Sequence, residues 1–339
     1  MKVLISSFGS IAKRHFRNVK ELLPAAEVGV LKLHTKLAEG DSEGVDHFFY
    51  RMEDGISYKP DLLIVASPAS EHIRIAVPFI ELGIPSFIEK PLAGAADDLK
   101  KLSVIEKWPF VMVGYVLRFQ PIFQDIKKIR SSSLLGRPLL ADIHVGQYLP
   151  DWRPESDYRR GVSAQKKLGG GALLELSHEI DYATWLLGWP GSVYCSCSKI
   201  SDLELDVEDH ALLIFEPEQK HACKMSLRLD FLQRVPQMSF QIVGSEATMK
   251  ADLINEEIKI FDVDNPKGRD FPVSKMSTGN EMYLRQFDAF FYQSLKGYRP
   301  RYPETEDFTD WAGIPSAEKV IEIVEKAKQS NQTGSRVPI

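Results

Sequence analysis

Cysteine is scarce: three residues in 339, too few for a disulfide framework. That scarcity suits a reducing compartment, so a cytoplasmic location is expected. Long apolar runs are missing as well. None approaches the roughly 20 residues a membrane helix needs, so no membrane partner is expected. The opening stretch lacks the unbroken apolar core of a signal peptide, because Gly9, Ser10, Lys13 and Arg14 interrupt it early. Positive charge is not in excess. The formal net charge is −5, which argues against nucleic acid as the main partner. Zinc-ligand spacing is absent too. Cys195 and Cys197 form a C-x-C in an alternating segment, with no second Cys/His pair to follow, and His144, His178 and His210 are scattered. The two thiols read as sheet packing, and no metal is expected. Internal repeats, low-complexity tracts and long linkers are also lacking.

What is present is ordinary for a globular protein: 44% hydrophobic and 26% charged residues. The length points to two domains. Up to residue 115, short apolar runs alternate with helical stretches. Strands are expected at 2–6, 27–33, 46–50, 61–67, 84–90 and 109–115. Helices are expected from Ile11 to about Leu23, at 70–83 and at roughly 95–107. "DLLIVAS" (61–67) is apolar throughout, as a strand buried on both faces should be. Such alternation predicts a doubly wound parallel sheet. Beyond Tyr115 the rhythm changes. A helix is expected at 121–131, followed by segments alternating apolar and polar residues: 139–148, 192–200, 210–217, 221–231, 238–244, 247–253 and 257–263. These predict antiparallel strands with one wet face. Helical patterns over 171–188, 279–295 and 315–329 complete an α/β domain with a large, mostly antiparallel open sheet.

"SSFGSIAKRH" (6–15) raises the first functional question. A dinucleotide loop reads G-x-G-x-x-G between a strand and a helix, and here the three positions are Ser7, Gly9 and Ala12. Gly9 stands where a side chain would block a phosphate. Ala12 suits close packing of helix on strand. Ser7 has to make the turn with a Cβ. Backbone N–H groups at the helix start, with the helix dipole, attract a pyrophosphate. The end of strand two lacks the usual ribose-binding acid. "LKLHTK" offers Lys32, His34 and Lys36 instead. Those cations either seat the extra phosphate of NADP or form a solvated basic edge.

"FIEKP" (87–91) makes the reading specific. With "SFGSIAKRH" (7–15), "VASPASEHIRIA" (65–76), "VGYVLRFQP" (113–121) and "GGGALLELSHEIDYATWLLG" (169–188), the sequence resembles the Gfo/Idh/MocA family of NAD(P)-dependent sugar and inositol dehydrogenases. The motifs keep the family's order over residues 1 to about 190. The resemblance implies a Rossmann domain, 1–118, and a substrate-binding and oligomerisation domain, 119–339. It implies a homodimer or homotetramer formed through the open sheet. It also implies a site, lined by Glu89, Lys90 and Pro91, where the nicotinamide meets the second domain. Cofactor positions are then Ser7, Gly9, Ser10, Ile11, Lys32, His34, Ser67, Pro68, His72, Glu89 and Lys90. The cofactor is NADP or NAD, the basic edge favouring NADP.

The chemistry supports these assignments independently. Alcohol oxidation moves a hydride to the nicotinamide and a proton to a base. A desolvated lysine at a strand end, Lys90, can hydrogen-bond the reacting oxygen. His178 is the candidate acid/base, the other reading being a core histidine satisfied by backbone. Glu175, Asp181 and Tyr182 sit three before, three after and four after it, on one face if the helix is continuous. Many family members carry D-x-x-x-H, but here Leu174 holds the aspartate position. Glu175 is the substitute, or His178 works with Lys90 alone. Arg118, Trp152, Arg153, Tyr158 and Asp181 are the substrate candidates. Arg118 reads equally as a structural arginine. The loop 147–167 reads either as a seat for an anionic sugar or as a solvated surface. The expected substrate is a small sugar, cyclitol or nucleotide sugar. Two other readings keep the fold: hydrolysis or elimination through transient oxidation, and a non-catalytic NAD(P)-binding protein.

Overall fold

Apolar runs and helical stretches do alternate through the first third of the chain. In the computed structural model, which describes residues 1–33, 44–305 and 308–339, they form β1 (Lys2–Ser6), α1 (Ser10–Leu22), β2 (Glu27–Leu31), β3 (His47–Phe49), α2 (Met52–Ser57), β4 (Leu62–Val65), α3 (His72–Glu81), β5 (Ser86–Ile88), α4 (Ala96–Leu99) and β6 (Val111–Val113). All six strands pair in parallel, in the order β3-β2-β1-β4-β5-β6. The chain winds outward from β1 in one direction and from β4 in the other. The loops after β1 and β4 therefore flank the switch point, where doubly wound sheets bind ligands. Val3, Leu4, Ile5 and all of β4 are fully buried, which explains their unbroken apolarity. The helix expected over 95–107 is shorter: α4 passes into a 3₁₀ turn, Lys100–Val104.

The next segments are α5 (Pro121–Ser131), β7 (Pro138–Gly146), α6 (Ala172–Glu175), α7 (Ser177–Leu187), β8 (Ser192–Ser198), β9 (His210–Glu216), β10 (Lys224–Asp230), β11 (Gln237–Gly244), β12 (Thr248–Asp252), β13 (Glu257–Phe261) and β14 (Arg269–Phe271). The chain closes with α8 (Glu281–Ser294), α9 (Ile314–Thr333) and β15 (Val337–Pro338). Nine strands form the second sheet, ordered β14-β13-β12-β11-β7-β10-β9-β8-β15. Its pairs are antiparallel except β7 with β10. Alternate residues, such as Ala211, Leu213 and Phe215, turn into the core. Tyr194 and Ile214 are register partners on the exposed face.

The chain forms two compact units: Met1–Phe119 with Thr278–Glu318, and Gln120–Ser277 with Lys319–Ile339. This division differs from a simple break at 118, because α8 returns to the first unit. Phe287, Phe290 and Phe291 are fully buried in the cluster that holds Val3, Ile64 and Phe87. The Phe287 ring lies 4.8 Å from that of Phe87. Burying such rings is worth more than the local pattern of the parallel sheet can signal. Among the described helices, none is long and apolar enough to cross a membrane.

Candidate functional site

The glycine loop turns directly off β1. Ser7 adopts φ +67, the left-handed region that a Cβ disfavours. Its N–H donates to the Leu31 carbonyl at 2.8 Å, so the turn is pinned to β2. Gly9 caps α1, and among the described residues no atom beyond its chain neighbours lies within 4 Å of where its Cβ would stand. The space in front of Gly9 is therefore open to a ligand. The first helical bond is Lys13 N–H to the Gly9 carbonyl, at 2.9 Å. The N–H groups of Ser10, Ile11 and Ala12 precede it, and the N-cap, a glycine, has no side chain to cap them. A hollow of about 370 Å³ opens there, lined by Phe8, Gly9, Ser10, Lys13, Arg14 and Arg17. Three cations on the positive end of a helix dipole make it an anion seat. Ala12 is fully buried, in keeping with close packing on the strand. Lys32 follows β2 and is half-buried. His34 lies outside the described residues.

The loop after β4 is fastened from within. The Ser67 hydroxyl meets that of Ser6 at 2.9 Å. Pro68 opens a short 3₁₀ turn leading to α3. His72 is 1% exposed, and its ring nitrogens lie 2.7 Å from the Ser67 carbonyl and 2.9 Å from that of Pro91. Burial holds its pKa below the ordinary histidine value, and the two carbonyl contacts oppose that shift. His72 thus ties two loops together inside the fold. β5 ends at Ile88, and the E-K-P turn follows. Glu89 is buried and Lys90 half-buried, and the Lys90–Pro91 peptide is cis. The Glu89 carboxylate points inward, to His15 Nε2 at 2.6 Å and to the Lys90 N–H at 3.0 Å. Arg118 is also internal, 4% exposed, and donates to the Asp310 carbonyl at 2.9 Å.

The second unit holds the other candidates. The glycines before α6 are conformationally required: Gly169 and Gly171 have φ +85 and +103. A Cβ on Gly171 would meet Glu208 Oε1 at 2.4 Å. Glu208 Oε1 accepts the Leu173 N–H at 3.1 Å, and burial pushes its carboxyl above the ordinary value. The segment 171–188 is two helices, not one. Leu176, at φ −96 and ψ 33, separates α6 from α7. Glu175 ends one helix and His178 lies in the next. Both are half-buried. Asp181 keeps its helical spacing from His178 but is 1% exposed, and Tyr182 packs against Phe123 and Phe240 in the core. In the loop before α6, Trp152 donates to the Gln147 carbonyl and sets its ring against Phe231. Tyr158 accepts the Glu204 N–H, and Arg153 is exposed. Arg159 bonds Asp157 and Glu204, so its charge is neutralised locally.

Known proteins share both units. Residues 1–115 match the family model described as an oxidoreductase family with an NAD-binding Rossmann fold, and residues 123–250 match the Gfo/Idh/MocA C-terminal domain. The chain belongs to the Gfo/Idh/MocA oxidoreductase family. Curated relatives include inositol 2-dehydrogenase 2 of Saccharopolyspora erythraea, 30% identical over 38% of this chain and 35% of that protein. Inositol 2-dehydrogenase of Rubrobacter xylanophilus is 26% identical over 53% of this chain and 50% of that protein. The chain thus aligns with about a third to a half of these relatives' length. Among solved structures, levoglucosan dehydrogenase with NADH and levoglucosan superposes at TM-score 0.82, with 18% identity and 100% and 99% of the two chains covered. WlbA dehydrogenase of Bordetella pertussis, with NADH and UDP-GlcNAcA, gives 0.77, with 17% identity and 100% and 98% covered. These two likenesses establish the fold.

As a Gfo/Idh/MocA protein, this chain carries groups that motif reading passed over. His15, Asn18 and Glu208 are the main ones. For His15 and Asn18 the signal was a polar residue on a buried stripe: α1 buries Ala12, His15, Asn18 and Val19 together, whereas Glu208 lies in the loop before β9. Tyr283 of α8 is another, with Arg14 4.5 Å above its ring. Nothing near residue 283 in the sequence announces a neighbour of the glycine-loop helix.

Proposed function

We propose that the chain transfers a hydride between NAD(P) and a secondary alcohol or ketone of a sugar, cyclitol or nucleotide sugar. The carrying observation is Lys90: a half-buried lysine on the turn that ends β5 of a Rossmann unit, its own N–H held by the neighbouring carboxylate. The names of the relatives support the substrate class, and the ligands in the neighbouring structures support a nicotinamide cofactor. The N–H groups at the start of α1 would hold the cofactor's pyrophosphate, and NAD(P) would supply the hydride acceptor or donor. Lys90 donates a hydrogen bond to the reacting oxygen and offsets its developing charge. His178 takes the alcohol proton, or returns it in the reverse direction. Glu175, on the preceding helix, is the remaining carboxylate candidate beside it. Trp152, Arg153 and Tyr158 are candidates for the sugar contact.

Lys32, directly after β2, favours NADP over NAD by charge. The sheet's exposed face, with Tyr194 and Ile214, is the proposed homodimer or homotetramer contact. The free thiols Cys195, Cys197 and Cys223 suit a reducing, cytoplasmic setting. The test is Lys90→Ala with both cofactors and a panel of inositols, sugar acids, amino sugars and nucleotide sugars. Turnover is expected to vanish while fluorescence titration shows cofactor binding retained. Normal turnover by that variant would overturn the role of Lys90. Tighter binding of NAD than of NADP would overturn the cofactor preference.

A further inference from the structure

Glu89 sits next to Lys90 yet faces away from solvent. Its carboxylate is enclosed on three sides. Oε1 meets His15 Nε2 at 2.6 Å, and Oε2 accepts the Lys90 N–H at 3.0 Å. Gly114 forms the back wall: a Cβ there would lie 3.0 Å from Oε2 and 3.2 Å from the Glu89 Cα. His15 is fully buried, its ring edged against Phe87 and Phe287. Among the described residues, no hydrogen-bond partner meets its Nδ1. A lone pair left unpaired costs less than a buried N–H left unpaired. The ring is therefore best satisfied with its proton on Nε2, donated to the carboxylate.

His15 lies on α1, the helix whose N-terminus forms the anion seat. One chain of hydrogen bonds then runs from that helix, through the Glu89 side chain, to the backbone of Lys90. We propose that His15 is a positioning residue: through Glu89 it holds the Lys90 turn in register with the cofactor helix. This assigns Glu89 to the clamp and rests, for its effect on turnover, on the proposed role of Lys90. Reacting groups misplaced by an ångström cost about a hundredfold in rate, so a backbone clamp at this point has leverage.

Three variants test it. His15→Leu keeps the bulk and removes the donor. His15→Gln returns an amide N–H near the Nε2 position. Gly114→Ala crowds the same carboxylate from behind and serves if His15→Leu does not fold. For His15→Leu, kcat should fall about 10- to 100-fold while the NADH Kd stays within about threefold. His15→Gln should recover most of that loss, and Gly114→Ala should reproduce it. Hydrogen exchange of the peptide containing Lys90 should quicken in His15→Leu and slow again in His15→Gln. That comparison reads the clamp even if no alcohol in the panel is turned over, which separates it from failure of the dehydrogenase reading. Unchanged exchange in His15→Leu would overturn the proposal. So would a glutamine variant as impaired as the leucine one, or a loss confined to NADH affinity.

Discussion

Ser7 holds a left-handed turn with a side chain that opposes it. The conformation costs roughly 1–2 kcal/mol for an L-residue, and glycine would give back part of that through its looser unfolded chain. Ser7→Gly is therefore expected to stabilise by about 0.5–1 kcal/mol, read as a higher urea midpoint at unchanged slope. Glu208 gives a pH signature. Its folded-state pKa lies above the ordinary 4.5 because it is buried. The native chain then holds the proton more tightly than the unfolded one. Stability falls as pH rises from 4.5 through the raised value, and stays lowered above it. Glu208→Gln keeps an acceptor for the Leu173 N–H without the charge. It should unfold at higher urea than the parent chain at pH 8, and the gap should close towards pH 4.5. Residues of this kind escape motif reading because their importance comes from burial. The turns that carry Gly9 and Lys90 were readable because each ends a short apolar strand. His15 and Glu208 acquire their partners from distant segments.

Helix α8 shows how packing overrides position in the chain. Phe287 is fully buried between His15, Phe87 and Phe291. Phe287→Ala should cost about 3–5 kcal/mol in denaturant unfolding, because the rings around it cannot collapse into the space. It should also weaken NADH binding, since α1 loses its support. The parallel strands were readable because burial on both faces leaves them apolar. The antiparallel ones were readable because one wet face imposes alternation. Elements without either pattern were not. α2 is "MEDGIS", and β14 is "RDF", with Arg269 and Asp270 exposed. β15 is two residues at an edge. The break at Leu176 was hidden because both flanking segments favour helix.

Two compact units should respond separately to a ligand that binds one of them. NADH at a hundred times its Kd adds about 2.7 kcal/mol to whatever binds it. Hydrogen exchange should slow across the first unit, most around α1 and the loop after β4, and little in the nine-stranded sheet. Equal protection of both units would contradict a cofactor seat confined to the first unit. The pairing of Met1–Phe119 with Thr278–Glu318 has a further consequence, in the order of biosynthesis. The amino-terminal sheet emerges from the ribosome first, but the phenylalanines that seal it are translated only after the nine-stranded sheet's first eight strands. Until then its apolar underside stays uncovered, a state in which chains aggregate and recruit chaperones. A chain truncated after Phe119 should bind a hydrophobic dye and melt without cooperativity, whereas the full chain melts cooperatively. The unit that begins translation is thus among the last to be completed.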